Sequence, residues 1–500
     1  MKASSEKLRA FLDQPSTIAL AATFITAIIA LSVGNTAVIG HIPYYYMQFL
    51  PVNAIREDPI GSIAYLHSQL PLENTAFTII ANIFRFTTAN PPYTNDFWKQ
   101  DTYWLGILCK QIITLYIYHY ALVKTGFHFF GKRFGITSAL AIALLPSTLM
   151  YFLFPYSALT SAALYGLIIS TLLCEKKPAT RLGLTAASIS ALALSHNLFS
   201  YITTFPLVLY FLADLFKNYR IIGRKIFAAT LILVAIPIGW SVKNYLIFNI
   251  TSLTSWSGCA LGQSITAVLP RNKQVDTSLQ DGWARAFKAI QSSPTYNPQE
   301  KYQAPIVLHQ RMKGEGIRNW NHISVIKACQ ESYDYNKELL RKDPELRQNL
   351  LVSIKERFTQ SLGRLGSQFN CGGCDFSYKD LGFTVYGNLI DTAYKNPAVP
   401  TIVSAWHLIL WYLSPGVACV LLLRNGQRRI ATGMAAVLAV NILQSAMAVS
   451  LSTIENERML WMLDNASIQC LYASAFLLAS LKRAKTRRHV STDQYSIHTD

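Results

Sequence analysis

The chain is divided by long apolar runs, and these decide what it can fold into. Windows of roughly 20 apolar residues, long enough to cross a bilayer as a helix, fall at 17–36, 103–123, 134–154, 157–174, 182–198, 200–216, 226–246, 400–423, 430–450 and 462–481. The expected fold is an all-α polytopic membrane protein with about ten transmembrane helices. Only 14% of the residues are charged and 51% are hydrophobic, whereas soluble proteins carry about a quarter charged residues. The first run follows Lys2, Lys7 and Arg9 and has no small-residue cleavage site after it. It is expected to stay as a membrane helix rather than be removed as a signal peptide.

The basic residues orient these spans. Lys124, Lys132 and Arg133 lie in one short loop, and Lys176, Lys177 and Arg181 in another. Two more carry Lys217, Arg220, Arg224 and Lys225, and Arg424, Arg428 and Arg429. With ten alternating spans, all of these loops fall on the side of the N-terminus. The tail 482–500 joins them with Lys482, Arg483, Lys485, Arg487 and Arg488. Both termini are therefore expected in the cytoplasm, and the net charge of +18 reads as topogenic rather than as a nucleic-acid surface. The chain then divides into 1–36, 37–102 as a first outer loop, 103–246 with spans two to seven, 247–399 as a large outer segment, 400–481 with the last three spans, and the tail. The short loops suggest a bacterial inner membrane.

The large outer segment predicts mixed helices and loops. One amphipathic helix is expected near 322–341. Another should start at Asp343-Pro344, an N-cap with proline in the first turn, and run to about Leu362 before Gly363. Cys259, Cys329, Cys371 and Cys374 lie here, and an oxidising exterior would permit disulfides among them.

Charged groups at a membrane helix are costly and tend to be functional. In the first outer loop Glu57 and Asp58 precede Pro59. A carboxylate there could remove a proton from an attacking hydroxyl, or Asp58 could simply start a helix. His67 and Gln69 follow on an amphipathic stretch. Lys110 lies inside span two, where it either snorkels outward or meets an anionic group. His196 ends span five. Lys243 and Tyr245 end span seven, at the level where an ammonium can meet phosphate. Glu457 and Arg458 sit in the short loop before the last span, as a mutual ion pair or as a phosphate site. Together these residues put acids and bases at one membrane face.

Four stretches resemble the GT-C superfamily of integral-membrane glycosyltransferases, in the branch of the protein O-mannosyltransferases and the lipid A aminoarabinose transferase. The first is Glu57-Asp58 with YLHSQLPLEN after it, where Gln69-Leu70-Pro71-Leu72 stands for the family's Gln-Pro-Pro-Leu-like run. The second is Trp240-Ser-Val-Lys-Asn-Tyr, with Lys243 in place of the usual Arg. The third is Glu338 to Phe358, and the fourth is ENERM at 455–459. The resemblance implies a polyprenyl-phosphate sugar as donor, a glycan, lipid or protein hydroxyl as acceptor, and inversion at the sugar carbon. It makes Asp58 the general base, with Glu57 as fallback, and puts the leaving lipid phosphate on Lys243 and Arg458 with Lys110 helping. No cofactor is implied and no metal-ligand set is visible, although a divalent metal stays open. Two other readings remain. An O-antigen polymerase or ligase would use basic and histidine residues of the large loop, such as His309 and His322. A lipid-linked-sugar flippase or transporter would be expected to show repeats and midplane charges.

Overall fold

A computed structural model describes residues 14–34, 50–85, 101–196, 199–250, 252–270, 275–293, 305–309, 311–314, 317–363, 368–370, 375–377, 384–451 and 460–495. Among the described residues the apolar runs are mostly helical. They form Pro15–Val33, Asp101–Phe130, Ser157–Cys174, Pro178–Ala193, Arg428–Leu451 and Asp464–Tyr495. The run at 400–423 becomes Ala398–Leu408 and Ser414–Arg424, joined by a wider turn at Ile409–Leu413.

Six helices among the described residues are long and apolar enough to cross a membrane, or seven if one bent pair counts as a span. The molecule is thus built as a multi-pass membrane protein. The ten runs exceed this count for stated reasons. Lys132–Ala143 and Pro146–Leu153 are bent by 61° at their break, where Pro146 cannot continue the hydrogen-bond ladder. Two runs share the stretch Tyr201–Phe248, which kinks at Gly223 (φ 77°, ψ 163°). A straight helix of 48 residues would reach about 72 Å, more than twice the ~30 Å hydrocarbon core. Gly223 adopts a backbone conformation that side chains resist, so the kink separates two spans. Pro178–Ala193 has only 16 residues, and the last helix opens with Asp464, Asn465, Ser467 and Gln469.

Ser157–Cys174 is central, 78% buried, and packs on Asp101–Phe130, Pro178–Ala193 and Asp464–Tyr495. The core between these helices is partly polar. Asn465 Nδ2 donates to the Tyr118 carbonyl at 3.1 Å, and Gln469 Nε2 to that of Gly166 at 2.9 Å. Tyr165 donates to Asn441 Oδ1 at 2.8 Å. Such bonds hold helices together where lipid offers no hydrophobic driving force. At one end of the bundle Arg181 places Nε and Nη2 on Asp214 Oδ2 at 3.1 and 3.0 Å, with both side chains buried.

The long segment 247–399 contains the helices Ser257–Thr266, Gly282–Ser292, Ser324–Lys342 and Pro344–Leu362. Asp343 caps the last of these, its Oδ1 accepting from Leu346 N at 3.0 Å. The disulfide Cys259–Cys329 ties the first helix to the third beside a cluster of Trp256, Trp283 and Trp320. Two short antiparallel hairpins add strands that the apolar pattern does not announce: Met312–Gly314 with Ile317–Arg318, and Gln368–Asn370 with Asp375–Ser377. The second hairpin flanks 371–374, so Cys371 and Cys374 lie outside the described residues.

Candidate functional site

Among the described residues, the segment after the first apolar run holds three helices, Val52–Glu57, Pro59–Ala64 and Pro71–Arg85. Asp58 sits at the joint between the first two, with φ −140° and ψ 79°. Its side chain starts the second helix, Oδ1 accepting from Gly61 N at 2.8 Å. Pro59 follows in the first turn and contributes no N–H of its own. Asp58 and Glu57 are both exposed. Gly61 leaves room for the carboxylate: a Cβ there would lie 1.9 Å from Asp58 Oδ2.

A clasp holds the far end of this loop. Asn321 Oδ1 accepts from His67 N at 2.8 Å and Ser68 N at 3.1 Å. Asn321 Nδ2 donates to the Tyr65 carbonyl at 3.2 Å. The His67 ring joins in, with Nε2 3.0 Å from the Asn321 carbonyl and Nδ1 2.9 Å from Ser255 Oγ. His67 is wholly buried, and both ring nitrogens are engaged within the protein. Burial, with the nearby Lys243 and His322, lowers its pKa to about 3 against the opposing bond from Asn321. The ring is therefore neutral at ordinary pH.

Lys243 reaches the same turn from the end of the seventh apolar run. Its Nζ donates to the Leu66 carbonyl at 2.6 Å and lies 3.6 Å from the Trp240 ring centroid, a cation–π contact. The Trp-Ser-Val-Lys-Asn-Tyr run explains the local fold. Asn249 takes the left-handed conformation (φ 56°, ψ 36°) and ends the helix. Trp240 Nε1 and Asn244 Nδ2 then hold the returning chain at the Leu253 carbonyl, at 3.3 and 2.8 Å. Tyr245 is exposed and lines an open groove of about 630 Å³ with Leu246, Phe248, Ile323, Ile326 and Lys327.

Lys110 meets the loop from below, its Nζ 2.7 Å from Glu73 Oε2. It also contacts Thr160 Oγ1 at 3.1 Å and Gln111 Oε1 at 3.2 Å. These three partners match the three protons of an ammonium, so Lys110 is fully occupied by this chain. Gln69 is buried. His196 is buried edge-on against Tyr156, ring centroids 6.2 Å apart. Glu457 and Arg458 lie outside the described residues.

The structure therefore gathers Asp58, His67, Gln69, Lys110 and Lys243 around one loop. Asp58 and Leu66 flank the short helix Pro59–Ala64. Sequence reasoning missed Glu73 and Asn321. Glu73 stands inside the YLHSQLPLEN stretch but gives no signal of its own, because Lys110 lies on another element. It also missed an arrangement at the last helix: Asp464 Oδ1 accepts from Trp411 Nε1 at 2.7 Å, and His407 stacks on Trp411 with centroids 4.4 Å apart. No group of three or more His, Cys, Asp or Glu that could hold a metal occurs among the described residues.

No protein-family model and no curated protein matches the chain. Two solved structures resemble it along most of its length. Both are crystal structures of ArnT from Cupriavidus metallidurans, one bound to undecaprenyl phosphate and one in the apo state. Each is 13% identical. The first covers 87% of this chain and 77% of the ArnT chain at a TM-score of 0.29, and the second 88% and 77% at 0.27. The superposition is too loose to transfer residue roles, and the functional reading stands on this chain's own side chains.

Proposed function

We propose that the protein is a membrane glycosyltransferase that moves a sugar from a polyprenyl-phosphate donor to an acceptor hydroxyl at the outer face of a bacterial inner membrane. The observation that carries this reading is that the loop bearing the exposed Asp58 is also the one whose Leu66 carbonyl accepts from Lys243 Nζ at 2.6 Å. Asp58 takes the proton of the acceptor hydroxyl, with Glu57 beside it. The oxygen attacks the anomeric carbon, the bond from that carbon to the phosphate oxygen breaks, and polyprenyl phosphate leaves. A single displacement inverts the carbon.

Lys243 and Arg458 stabilise the charge that grows on the leaving phosphate. Lys243 is within reach of this role because its present partner is a neutral carbonyl, which a phosphate can replace as a stronger charge-assisted acceptor. Lys110, held by Glu73, acts on the loop rather than on phosphate. Docking of the large outer segment through Asn321 supports a role for it in covering the site.

The test is a set of labelled polyprenyl-phosphate sugars offered to the purified protein with membrane-extracted acceptors. Asp58→Asn should lower transfer by about 10²-fold or more, the range for loss of a general base, with the variant still folded in the membrane. Full transfer by Asp58→Asn would remove Asp58 as base. Absence of transfer by the wild-type protein from every donor would remove the reading itself.

A further inference from the structure

The end of the helix Tyr201–Phe248 and the start of Ser324–Lys342 leave the open groove of about 630 Å³ between them, a volume in the range of small-molecule sites. No step of the sugar-transfer reading uses it. Its apolar side begins on the first of these helices, which is long and apolar enough to cross a membrane. Ile238, Val242 and Leu246 stand exposed at intervals of four along that helix, a stripe on one face that meets hydrocarbon. The stripe runs into the groove, where Leu246 is 75% exposed. Asn249 then ends the helix, and the exposed Ile323 supplies apolar surface from the opposite wall.

The polar side carries one sign of charge. Ile323, Lys327 and Gln330 follow at spacings of four and three, so they share a face and line the groove together. No Asp or Glu is among the described residues that line it. The Lys327 side chain is 83% exposed, and Glu331 Oε1 lies 3.9 Å from its Nζ. Glu331 gives its other oxygen to Arg285. An exposed pair at that separation is worth little, so Lys327 keeps its charge for an incoming anion. A soluble anion would leave Leu246, Ile247 and Ile323 uncovered. A wholly apolar molecule would leave Lys327 unanswered. An amphiphile with an anionic head satisfies both ends, and Tyr245 at the rim has the ring that suits the headgroup level.

We propose that the groove seats one anionic phospholipid of the surrounding bilayer, with an acyl chain along Leu246, Ile247 and Ile323 and its phosphate at Lys327 and Gln330. The lipid bridges a membrane helix and the segment 247–399. Phe248 also lines the groove, and its ring stands edge-on to His67 with centroids 5.0 Å apart, so an occupied groove packs the far side of the Asn321 clasp. The inference needs only a chain embedded in a membrane and holds whatever reaction the protein catalyses.

Photoreactive lipids test it. The full chain is placed in nanodiscs of POPC doped with phosphatidylglycerol or phosphatidylcholine that carries a diazirine in one acyl chain. After irradiation the labelled peptides are mapped by mass spectrometry. Labelling of 323–326 is the readout, because those residues lie off the membrane-crossing helix. Phosphatidylglycerol should label them about fivefold more than phosphatidylcholine, the worth of one basic residue at an anionic lipid. Lys327→Gln should remove the preference. Lys337→Gln, on the same helix but outside the groove, should keep it. Leu246→Asn should lower labelling by both lipids. All three replace exposed side chains, and glycerol phosphate in the buffer should not compete. Absent labelling of 323–326, equal labelling by the two lipids, or a preference that survives Lys327→Gln or is lost in Lys337→Gln would overturn the proposal. So would labelling unchanged by Leu246→Asn, or competition by glycerol phosphate, which has the charge but no chain.

Discussion

Lys110 Nζ stands 2.7 Å from Glu73 Oε2, so a helix long and apolar enough to span the membrane and the loop after the first apolar run are joined by an ion pair at their buried contact. With the bonds from Leu72 N to the Leu194 carbonyl at 3.1 Å and from Lys243 Nζ to the Leu66 carbonyl at 2.6 Å, the pair ties the loop to the bundle.

Breaking that pair should be costly. Lys110→Met leaves a buried carboxylate with no cation, a loss on the order of 3 kcal/mol. Thermal unfolding in detergent should show it, and Lys110→Met combined with Glu73→Leu should recover part of the loss. A single variant as stable as the wild-type protein would mean that the carboxylate is solvated.

Gly61→Ala offers a test of Asp58 that leaves the carboxylate in the chain. The new Cβ would fall 1.9 Å from Asp58 Oδ2, so the side chain must swing off its cap. Helix stability should drop by about 1 kcal/mol, and transfer should fall as it does in Asp58→Asn. Binding of the polyprenyl-phosphate carrier should be unaffected. Normal transfer by Gly61→Ala would show that the capped orientation is irrelevant to the reaction.

Acid should loosen the clasp at His67. The folded ring titrates at about 3 and an exposed one near 6.5, so below pH 6.5 the unfolded state binds the extra proton and stability falls as pH falls. At pH 5 this amounts to about 2 kcal/mol, at 1.36 kcal/mol per pH unit. His322, whose pKa is lowered to about 4 chiefly by burial, acts in the same direction. Fluorescence of Trp256, Trp283 and Trp320 should report the change, with His67→Gln flattening it between pH 6.5 and 4. An unchanged profile in that variant would assign the effect to His322.

Removing one partner of Arg181–Asp214 should destabilise the bundle by about 3–5 kcal/mol, because each single variant leaves a buried charge unpaired. Arg181→Met with Asp214→Leu should be milder than either alone. Detergent unfolding midpoints of the four proteins give the comparison, and equal losses in the single and double variants would contradict it.

Much of this architecture is legible in the sequence because lipid imposes a simple rule: apolar length becomes helix. The helix at Pro344–Leu362 is legible for another local reason, since Asp343 and Pro344 form its start without help from the rest of the chain. The break at Gly223, where both φ and ψ leave the helical region, falls in the basic stretch that separates the runs 200–216 and 226–246, so it too is legible. The site is legible in part. Asp58 and Lys243 stand out as charges at span ends, but Glu73 looks like an ordinary first-turn acid until Lys110 is placed beside it. Asn321 carries no charge and sits in no periodic pattern. Its importance exists only in the folded chain, where it meets residues 65–68.

That Asn321 clasp also limits how the protein can open. Its side chain and carbonyl make four hydrogen bonds to three neighbouring residues, Tyr65, His67 and Ser68. At about 1 kcal/mol apiece, releasing them together leaves roughly one molecule in a thousand with the outer segment lifted from the first loop. Any route for carrier or product that lifts this segment carries that cost, and a route that leaves the segment in place does not.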